Sequence, residues 1–430
     1  MFARLVRYFS TLFVLTVLEH TLGRRGVYFS MDIESETAAQ RLALPRKLIK
    51  FGASELDVSD MRNDAQPYTA EYHELCYNFV RETVEVCGFY RERVRRAGIS
   101  PEDLKSAAGF AAIPPLSSGE VSALDDSVLL PDEMRQQLKT GFFGLPEERK
   151  LWRKFTTSGS SGLKPKVSYY TRADWEVLVA TGARFLASYL APGTMTRVFN
   201  CFIGGHVGAK FQEDSISTYG CSVEGAHISR TTPAAILEQL QRGGAPELGG
   251  FNGLAIPPGL AKGSPGASKG TNLDALLNLD ADNFIGKNIR VIITSGSPRD
   301  AAGLNLKERV WEANELASAA KTKFFEMYGF SESLPNAIDC EHNVGLHLGA
   351  GPTYTEVLDE KTGKHVKNGE RGFVVITGIR SGSRFIRYAV GDEATYVTEP
   401  CRCGRTSPRL QNIQRVVELE RLQQGCGGGV

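Results

Sequence analysis

The sequence predicts an α/β fold in which mainly parallel strands are flanked by helices and followed by an antiparallel β segment. From position 154 onward, short apolar runs alternate with helical stretches, which is the pattern of parallel βα units. Between positions 349 and 396, strand-like runs are separated by turn residues, which is typical of antiparallel pairing. The chain from about 36 to 150 has mostly helical periodicity.

The predicted elements can be placed along the chain by their periodicity and their flanking turn residues. In chain order they are a helix over 71–93, a strand over 198–203, a helix over 234–242, a strand over 289–294, a helix over 306–319, a strand over 323–328, and two antiparallel strands over 354–359 and 372–377.

Length and charge limit the classes of function. The chain has 430 residues, of which 42% are hydrophobic, so it can bury the core of two or three structural units. Its 50 Lys and Arg residues almost cancel its 49 Asp and Glu residues, giving a formal charge of +1. No global field therefore favours a nucleic acid or an anionic membrane, and any anion must be bound by local groups.

The eight cysteines are spread widely along the chain. This spacing argues against a secreted disulfide scaffold and for a reducing compartment, so we expect a cytoplasmic protein. A metal site built from a subset of these cysteines is compatible with that compartment.

The N-terminal segment has several interpretations. An apolar run over 12–18 follows Arg4 and Arg7, as in a weak signal sequence, but it is too short to span a bilayer. A frayed amphipathic helix, or translation that starts at Met31, is the favoured interpretation. The expected organisation is an extension over 1–35, a mostly helical part over 36–150, a nucleotide- and acyl-binding core over 151–410 and a glycine-rich tail over 411–430.

A run of glycines and hydroxyl residues lies between two strand-like segments. Glycine lets backbone N–H groups approach an anion, hydroxyls add donors, and Lys164 or Lys166 adds positive charge. The spacing is not that of a Walker loop, and such a run is often only a flexible linker. The candidate phosphate-binding residues are Thr157, Ser158, Gly159, Ser160, Ser161 and Gly162.

Two carboxylates are candidates for the same site. Glu332 follows a strand, a position that suits a Mg²⁺ ligand, and Tyr328 just before it is able to stack on a base. Asp392 is expected at a turn, where it can accept both hydroxyls of a ribose. The alternatives are a surface glutamate in an ordinary turn and a salt-bridged hairpin.

The order and spacing of these motifs resemble the adenylate-forming superfamily, and within it the phenylacetate–CoA ligase-like branch. The resemblance extends from about 155 to 415 and includes the segment Cys401–Arg409, which is characteristic of that branch. It implies ATP-dependent activation of an aryl or fatty acid to an acyl-adenylate, followed by transfer to CoA or another thiol. The loop has one residue more before its proline than the family pattern, so the choice between Lys164 and Lys166 stays open.

The resemblance also implies individual roles. Lys164, Lys166 and Glu332 are the catalytic candidates, with Glu332 on Mg²⁺ and Asp392 on the ribose. His206 either lines the acyl pocket or is a core residue. The remaining nucleotide-binding candidates are Ser295, Gly296, Ser297, Pro298, Tyr328, Gly329, Ser331 and Arg415.

A metal site is predicted from three cysteines and a histidine. Cys340, His347, Cys401 and Cys403 form a closed set of donors suited to structural Zn²⁺, with His342 as an alternative to His347. Three unconnected buried cysteines are the other interpretation, but the resemblance favours zinc.

The end of the sequence leaves the thiol acceptor open. Superfamily members carry a small C-terminal domain, which is expected to be absent or vestigial here. A fragment, a separate partner chain and a short form similar to acyl-protein synthetases each explain this ending. In the last case Cys426 would accept the acyl group, but an unreactive cysteine in a disordered tail is the favoured interpretation. A nucleotide-binding protein without ligase turnover is the alternative function, and a homodimer is the oligomer considered.

Overall fold

The computed structural model describes residues 46–64, 66–140, 150–156, 164–191, 193–202, 207–225, 232–243, 250–256, 272–295, 322–342 and 344–416. Fifteen strands and ten α-helices lie in these ranges, together with 3₁₀ turns at Met61–Asp64 and Asp103–Lys105.

The N-terminal part combines one β-hairpin with five helices. The hairpin is formed by β1 and β2, which pair antiparallel. The bounds are β1 Leu48–Phe51, β2 Ser54–Asp57, α1 Ala70–Val86, α2 Gly88–Arg96, α3 Ala107–Ala112, α4 Ser118–Ala123 and α5 Asp132–Thr140.

The helix predicted over 71–93 is divided in two at Cys87. Thr69 caps α1 by accepting a hydrogen bond from the Tyr72 N–H, and the apolar side chains that follow are buried at three- and four-residue spacing. Cys87 is in an extended conformation, and the next N–H, that of Gly88, donates to the carboxylate of Asp132. A tertiary contact therefore replaces the intrahelical bond, which periodicity alone does not reveal.

The parallel strands predicted from the alternating pattern form one half of a large sheet. Their order is β6-β5-β7-β8-β9, and all neighbours in this half are parallel. Val291, Ile292 and Ile293 are fully buried, as expected for a strand covered on both faces. The bounds are β5 Arg197–Asn200, β6 Ser222–Gly225, β7 Gly253–Ala255, β8 Val291–Ser295 and β9 Lys323–Phe330; the helices are α6 Arg172–Tyr189, α7 Val207–Tyr219, α8 Pro233–Arg242, α9 Asn272–Leu279 and α10 Phe284–Asn288.

The predicted antiparallel segment continues the same sheet. From β9 the order is β10-β11-β15-β14-β13-β12, so the described part of the chain contains one sheet of eleven strands. The α/β class with both kinds of pairing is confirmed, but Asp392 lies within the long strand β14 rather than at a turn. The bounds are β10 Ser333–Ile338, β11 Leu346–Leu348, β12 Thr353–Leu358, β13 Arg371–Gly378, β14 Phe385–Val397 and β15 Arg409–Arg415.

A separate antiparallel pair lies on either side of the glycine-serine loop. It consists of β3, Leu151–Thr156, and β4, Val167–Thr171, with Thr156 opposite Val167. The two ends of the loop are therefore neighbours, as the prediction of a turn between strands requires. Helix α6 begins directly after β4.

The start of α6 is fixed by a capping box. The Thr171 hydroxyl accepts from the Asp174 N–H at 3.1 Å, and the Asp174 carboxylate accepts from the Thr171 N–H at 2.9 Å. The same carboxylate accepts from the N–H groups of Ser381 and Gly382. The cap therefore joins the helix to the loop before β14.

Replacing Thr171 by alanine should destabilise the protein by about 1 kcal/mol, because one helical N–H loses its acceptor. Equilibrium unfolding in urea measures the change. Thr171→Ser keeps the hydroxyl and should retain most of the stability. If the serine and alanine variants lose the same stability, the cap is not the cause.

Candidate active site and metal centre

The candidate catalytic residues meet where β9 ends. Ser295, the last residue of β8, is in register with Met327 of β9, and both strands point their carboxyl ends to the same edge of the sheet. Glu332 lies in the short connection between β9 and β10 and is buried. The β3–β4 pair brings Lys166 to this edge.

The structure distinguishes the two candidate lysines. Lys166 Nζ lies 2.7 Å from Glu332 Oε1, and the two side chains are only 13% and 7% exposed. Lys164 is 54% exposed, and its Nζ pairs with Asp126 at 2.8 Å on the surface. Lys166 is therefore the lysine that faces the predicted magnesium ligand.

Two hydroxyl groups complete the surroundings of this ion pair. Lys166 Nζ donates to the Tyr388 hydroxyl at 2.6 Å and to Ser118 Oγ at 2.9 Å. The Tyr388 hydroxyl in turn donates to Glu332 Oε1 at 3.1 Å. Sequence reasoning assigned no role to either residue. Tyr388 lies within the motif that runs from Arg387 to Asp392, but no signal in the sequence connects Ser118 to Lys166.

The backbone beside Glu332 is held independently of its carboxylate. The Tyr170 hydroxyl donates to the Ser331 carbonyl at 3.1 Å, and Arg380 donates to the Glu332 carbonyl. The Arg380 guanidinium lies over the Tyr170 ring, 4.6 Å from its centroid. Burial raises the pKa of Tyr170, so this phenol stays a neutral donor.

Asp392 and Tyr328 form a second polar pair. The Tyr328 hydroxyl donates to Asp392 Oδ2 at 2.8 Å, and the Asp392 residue is 7% exposed. The pair joins β9 to β14, so a base-stacking candidate and a ribose-binding candidate are in direct contact. Gly329 and Ser331 lie between Tyr328 and Glu332 in the same connection.

The four predicted zinc ligands also come together. Their ligand atoms all lie within 4.8 Å of one another, with three of the residues buried. Cys340 Sγ is 3.7 Å from Cys401 Sγ, and Cys403 Sγ is 3.5 Å from His347 Nε2. This excludes the interpretation that the cysteines are unconnected, and it places His347 rather than His342 in the cluster.

Burial and neighbouring groups shift the pKa values of three residues in the cluster. Burial and the neighbouring thiols raise the pKa of Cys340 to about 12. Burial works to raise the pKa of Cys403, but hydrogen bonds from Arg405 outweigh it and lower the pKa below its usual range. Burial and the charges of Arg405 and Arg409 lower the pKa of His347 to about 3, so its ring is neutral at neutral pH.

Known proteins provide an independent comparison. No family model matches the chain. The phenylacetate-coenzyme A ligase of Aromatoleum evansii is 26% identical over 341 residues, which cover 77% of this chain and 67% of that protein.

The chain is similar to phenylacetate–CoA ligase over most of its length, and this likeness supports a place in the adenylate-forming superfamily.

Solved structures agree with this placement at the level of the fold. 2-Hydroxyisobutyryl-CoA ligase, in an open conformation with 2-HIB-AMP and CoA, matches with a TM-score of 0.62 and 20% identity. That match covers 83% of this phenylacetate–CoA ligase-like chain and 72% of the other protein. The same enzyme in the thioesterification state matches with a TM-score of 0.62 and 21% identity.

Several predicted residues of the phenylacetate–CoA ligase-like chain lie outside the described ranges. Only the backbone is described for Ser295 and Arg415, and Arg415 is in register with Asp392. No helix in the described part of the chain is long and apolar enough to cross a membrane. The predicted residues outside the described ranges are Thr157, Ser158, Gly159, Ser160, Ser161, Gly162, His206, Gly296, Ser297, Pro298 and Cys426.

Proposed function

We propose that the protein is an acid–thiol ligase that activates a carboxylic acid with ATP and transfers the acyl group to CoA. The observation that carries this proposal is the buried Lys166–Glu332 pair at the end of β9, next to the two ends of the glycine-serine loop. A buried cation and a buried carboxylate side by side suit a polyphosphate that arrives with a divalent cation.

The reaction has two steps. The substrate carboxylate attacks the α-phosphorus of ATP, the bond to the β-phosphate oxygen breaks, and acyl-AMP and pyrophosphate form. The CoA thiolate then attacks the acyl carbonyl and AMP leaves. The proposal assigns to the protein mainly the positioning of the reactants and the stabilisation of developing charge.

The described residues divide this work between two ends of the nucleotide. In this proposal Lys166, which is buried beside Glu332, donates to phosphate oxygens of the leaving pyrophosphate. Asp392 accepts the ribose hydroxyls, and its 2.8 Å hydrogen bond from Tyr328 supports this role by orienting the carboxylate. Glycines and hydroxyls of the loop over 157–162 add donors to the phosphates in this proposal.

Glu332 fits a magnesium site by its chemistry. Mg²⁺ in nucleotide sites is held by one or two carboxylates together with substrate phosphates, and Glu332 is a buried carboxylate beside Lys166. When bound, Mg²⁺ neutralises phosphate charge. Glu332 would supply its protein ligand.

The cysteine–histidine cluster fits structural zinc. A tetrahedral ion with Zn–S bonds of about 2.3 Å and a Zn–N bond of about 2.0–2.1 Å separates two sulfurs by about 3.8 Å and a sulfur from a nitrogen by about 3.6 Å. The observed separations are 3.7 and 3.5 Å. His347 Nδ1 is paired with Ser407 Oγ at 3.0 Å, which leaves Nε2 directed at Cys403.

The set of four donors implies a structural role for the zinc. Cys340, His347, Cys401 and Cys403 fill all four positions of a tetrahedral ion, so no position is left for a substrate. The proposed reducing, cytoplasmic location rests on the wide spacing of the cysteines, and the seven that the structure describes form no disulfide with one another.

Acid-dependent exchange between pyrophosphate and ATP tests the proposed function. With a panel of aryl and fatty acids, at least one acid should drive incorporation of labelled pyrophosphate into ATP, and added CoA should then release AMP. Nucleotide binding without exchange for any acid would favour a protein that has lost turnover. Exchange with acyl transfer to the protein itself, lost in Cys426→Ser, would identify Cys426 rather than CoA as the acceptor.

A further inference from the structure

The hydroxyl of Tyr388 contacts both members of the Lys166–Glu332 pair. It accepts from Lys166 Nζ at 2.6 Å and donates to Glu332 Oε1 at 3.1 Å. Tyr388 is 1% exposed, so its ring cannot turn into solvent. A phenol has one donor and two acceptor positions, so these two bonds are compatible with each other.

An irregularity in β14 brings this hydroxyl to the site. Ile376 of β13 is opposite Tyr388, but Gly378 is opposite Phe385, so β14 contains one extra residue in this interval. Phe385 and Tyr388 therefore share a face although they are three residues apart, and their ring centroids are 5.4 Å apart. Without the bulge, strand alternation would place them on opposite faces.

Arg387 holds the bulge in place. It has a positive φ of 49°, a conformation that is uncommon for residues other than glycine. Its guanidinium, in a residue that is 1% exposed, contacts both carboxylate oxygens of Glu356 at 3.1 Å and donates to the carbonyls of Ala111 and Ile113. These bonds over-determine a strained backbone position, which is how such conformations persist.

The same bulge brings in Ser118. The Leu116 N–H donates to the Arg387 carbonyl at 2.8 Å, and the Ala389 N–H donates to the Leu116 carbonyl at 2.9 Å. The segment before α4 is therefore tied to β14 on both sides of Tyr388. Ser118, two residues later, reaches Lys166.

The contact between Lys166 and Glu332 must break when ATP and Mg²⁺ bind. On the proposed function, Lys166 is needed by the phosphates and Glu332 by Mg²⁺, yet in this structure each is the partner of the other. A carboxylate that loses its lysine while buried needs another donor to keep its orientation. The Tyr388 hydroxyl is already bonded to it.

We infer that Tyr388 is a positioning residue that keeps Glu332 oriented for Mg²⁺ after Lys166 has moved to the phosphates of ATP. The inference rests on the proposed function for the identity of the ligands. Tyr388 would contact neither the α-phosphorus nor the acid. Its removal should therefore change the magnesium requirement and leave the KM for the acid unchanged.

Tyr388→Phe tests the inference, because it removes the hydroxyl and keeps the ring against Phe385. The half-saturating free Mg²⁺ concentration should rise about tenfold, the effect typical of a group that supports a metal ligand. It is measured in the full-length chain both by calorimetric binding of ATP at graded Mg²⁺ and by pyrophosphate exchange. The KM for the acid should stay within about twofold of wild type, because the inference gives Tyr388 a role in Mg²⁺ binding and none in binding the acid.

Tyr90→Phe is the matched control. The Tyr90 hydroxyl is also buried and bonded to this strand, donating to the Arg384 carbonyl and accepting from the Ile386 N–H, both at 2.9 Å. It has no contact with Lys166 or Glu332 in the described structure. If Tyr90→Phe shifts the Mg²⁺ requirement as much as Tyr388→Phe, the effect is a loosening of β14 and the inference is overturned.

Ser118→Ala provides a second test that does not alter β14. It removes the other hydroxyl from Lys166 and leaves the bond between Tyr388 and Glu332 in place. ATP affinity should fall, and the half-saturating Mg²⁺ concentration should stay within about twofold of wild type. An unchanged Mg²⁺ requirement in Tyr388→Phe, or an equal change in Ser118→Ala, overturns the inference.

The binding measurement separates this inference from the proposed function. If the wild-type protein binds ATP in a Mg²⁺-dependent way but exchanges no pyrophosphate, the proposed function fails while the role of Tyr388 is still measured. If the wild-type protein shows no Mg²⁺-dependent binding of ATP, both fail.

Discussion

Lys166→Met should lower acid-dependent pyrophosphate exchange by about 10²–10³-fold, the loss typical when one group that stabilises transition-state charge is removed. Charge develops on the leaving pyrophosphate as the α-phosphorus bond breaks, and Lys166 is the buried cation that pairs with the Glu332 carboxylate. In a buried site this charge is poorly screened, so its loss is large. Methionine keeps most of the aliphatic length and removes only the ammonium group.

Lys164→Met is the matched control for this change. Lys164 is half exposed and pairs with Asp126 on the surface. Such a pair contributes little, so we expect exchange within about threefold of wild type and an unchanged melting temperature. The opposite order of effects would show that Lys164 is the phosphate-binding lysine. It would also mean that the Lys166–Glu332 pair is only structural.

Melting temperatures show whether a loss of exchange comes from unfolding rather than from the missing charge. Lys166→Met leaves Glu332 buried without its cation, which by itself lowers stability. Lys166→Met with Glu332→Gln removes both charges and should recover stability but not exchange. Recovery of exchange in the double variant would show that the first loss came from folding.

The sequence could not choose between the two lysines because they are two residues apart in a loop of unusual length. Their different surroundings depend on Asp126 and Glu332, which are distant in the chain. The motifs predicted that Ser295 and Glu332 lie at one edge of the sheet, because they stand at the carboxyl ends of the parallel strands β8 and β9. Tyr388 and Ser118 reach the ion pair because of a bulge in β14 and because the segment around Leu116 is hydrogen-bonded to that strand. Neither feature produces a periodic pattern of apolar residues, so the sequence did not predict them.

The parallel half of the fold was predictable for a similar reason. Strands such as Val291–Ser295 are continuous apolar runs closed by glycine and serine, so their ends and burial can be read from composition. The position of Asp392 within a strand could not be predicted from the sequence, because β14 continues through Gly391, which has a φ of 90°. A glycine before an aspartate usually indicates a turn, but here it lies at a second irregularity within the strand.

The cysteine–histidine cluster was predictable in its residue types but not in its full membership. Its four donors come from β11 and from segments around 340 and 401–403, which the pairing of β11 with β10 and β15 brings together. The residue types gave the chemistry, and the fold decided that His347 is the member. Spacing in the sequence could not decide between His342 and His347 as the fourth ligand. The structure decides it, because His347 lies in β11 opposite Arg409 of β15.

Purified protein should contain about one zinc ion per chain, and its removal should lower the melting temperature by on the order of 10 °C. Structural zinc contributes folding free energy, on the order of 10 kcal/mol in small peptides. Even a loss of several kcal/mol shifts melting by roughly 10 °C in a domain of this size. The loop that carries Cys401 and Cys403 also holds Arg405, which lies 3.9 Å over the Tyr189 ring at the end of α6. Losing the ion should therefore loosen this contact as well.

Cys403→Ser is the variant that tests the site with least damage to packing, because Cys403 is only half-buried. Cys221→Ser is its control: it changes the same atom at a buried thiol that donates to the Met195 carbonyl and has no metal-binding neighbours in the described structure. Elemental analysis should show zinc loss in Cys403→Ser and full occupancy in Cys221→Ser, with the melting temperature falling further in the first. Equal zinc content in the two variants would exclude Cys403 as a ligand. Protein that binds no zinc, and melts at the same temperature with and without a chelator, would make the cluster a group of packed thiols.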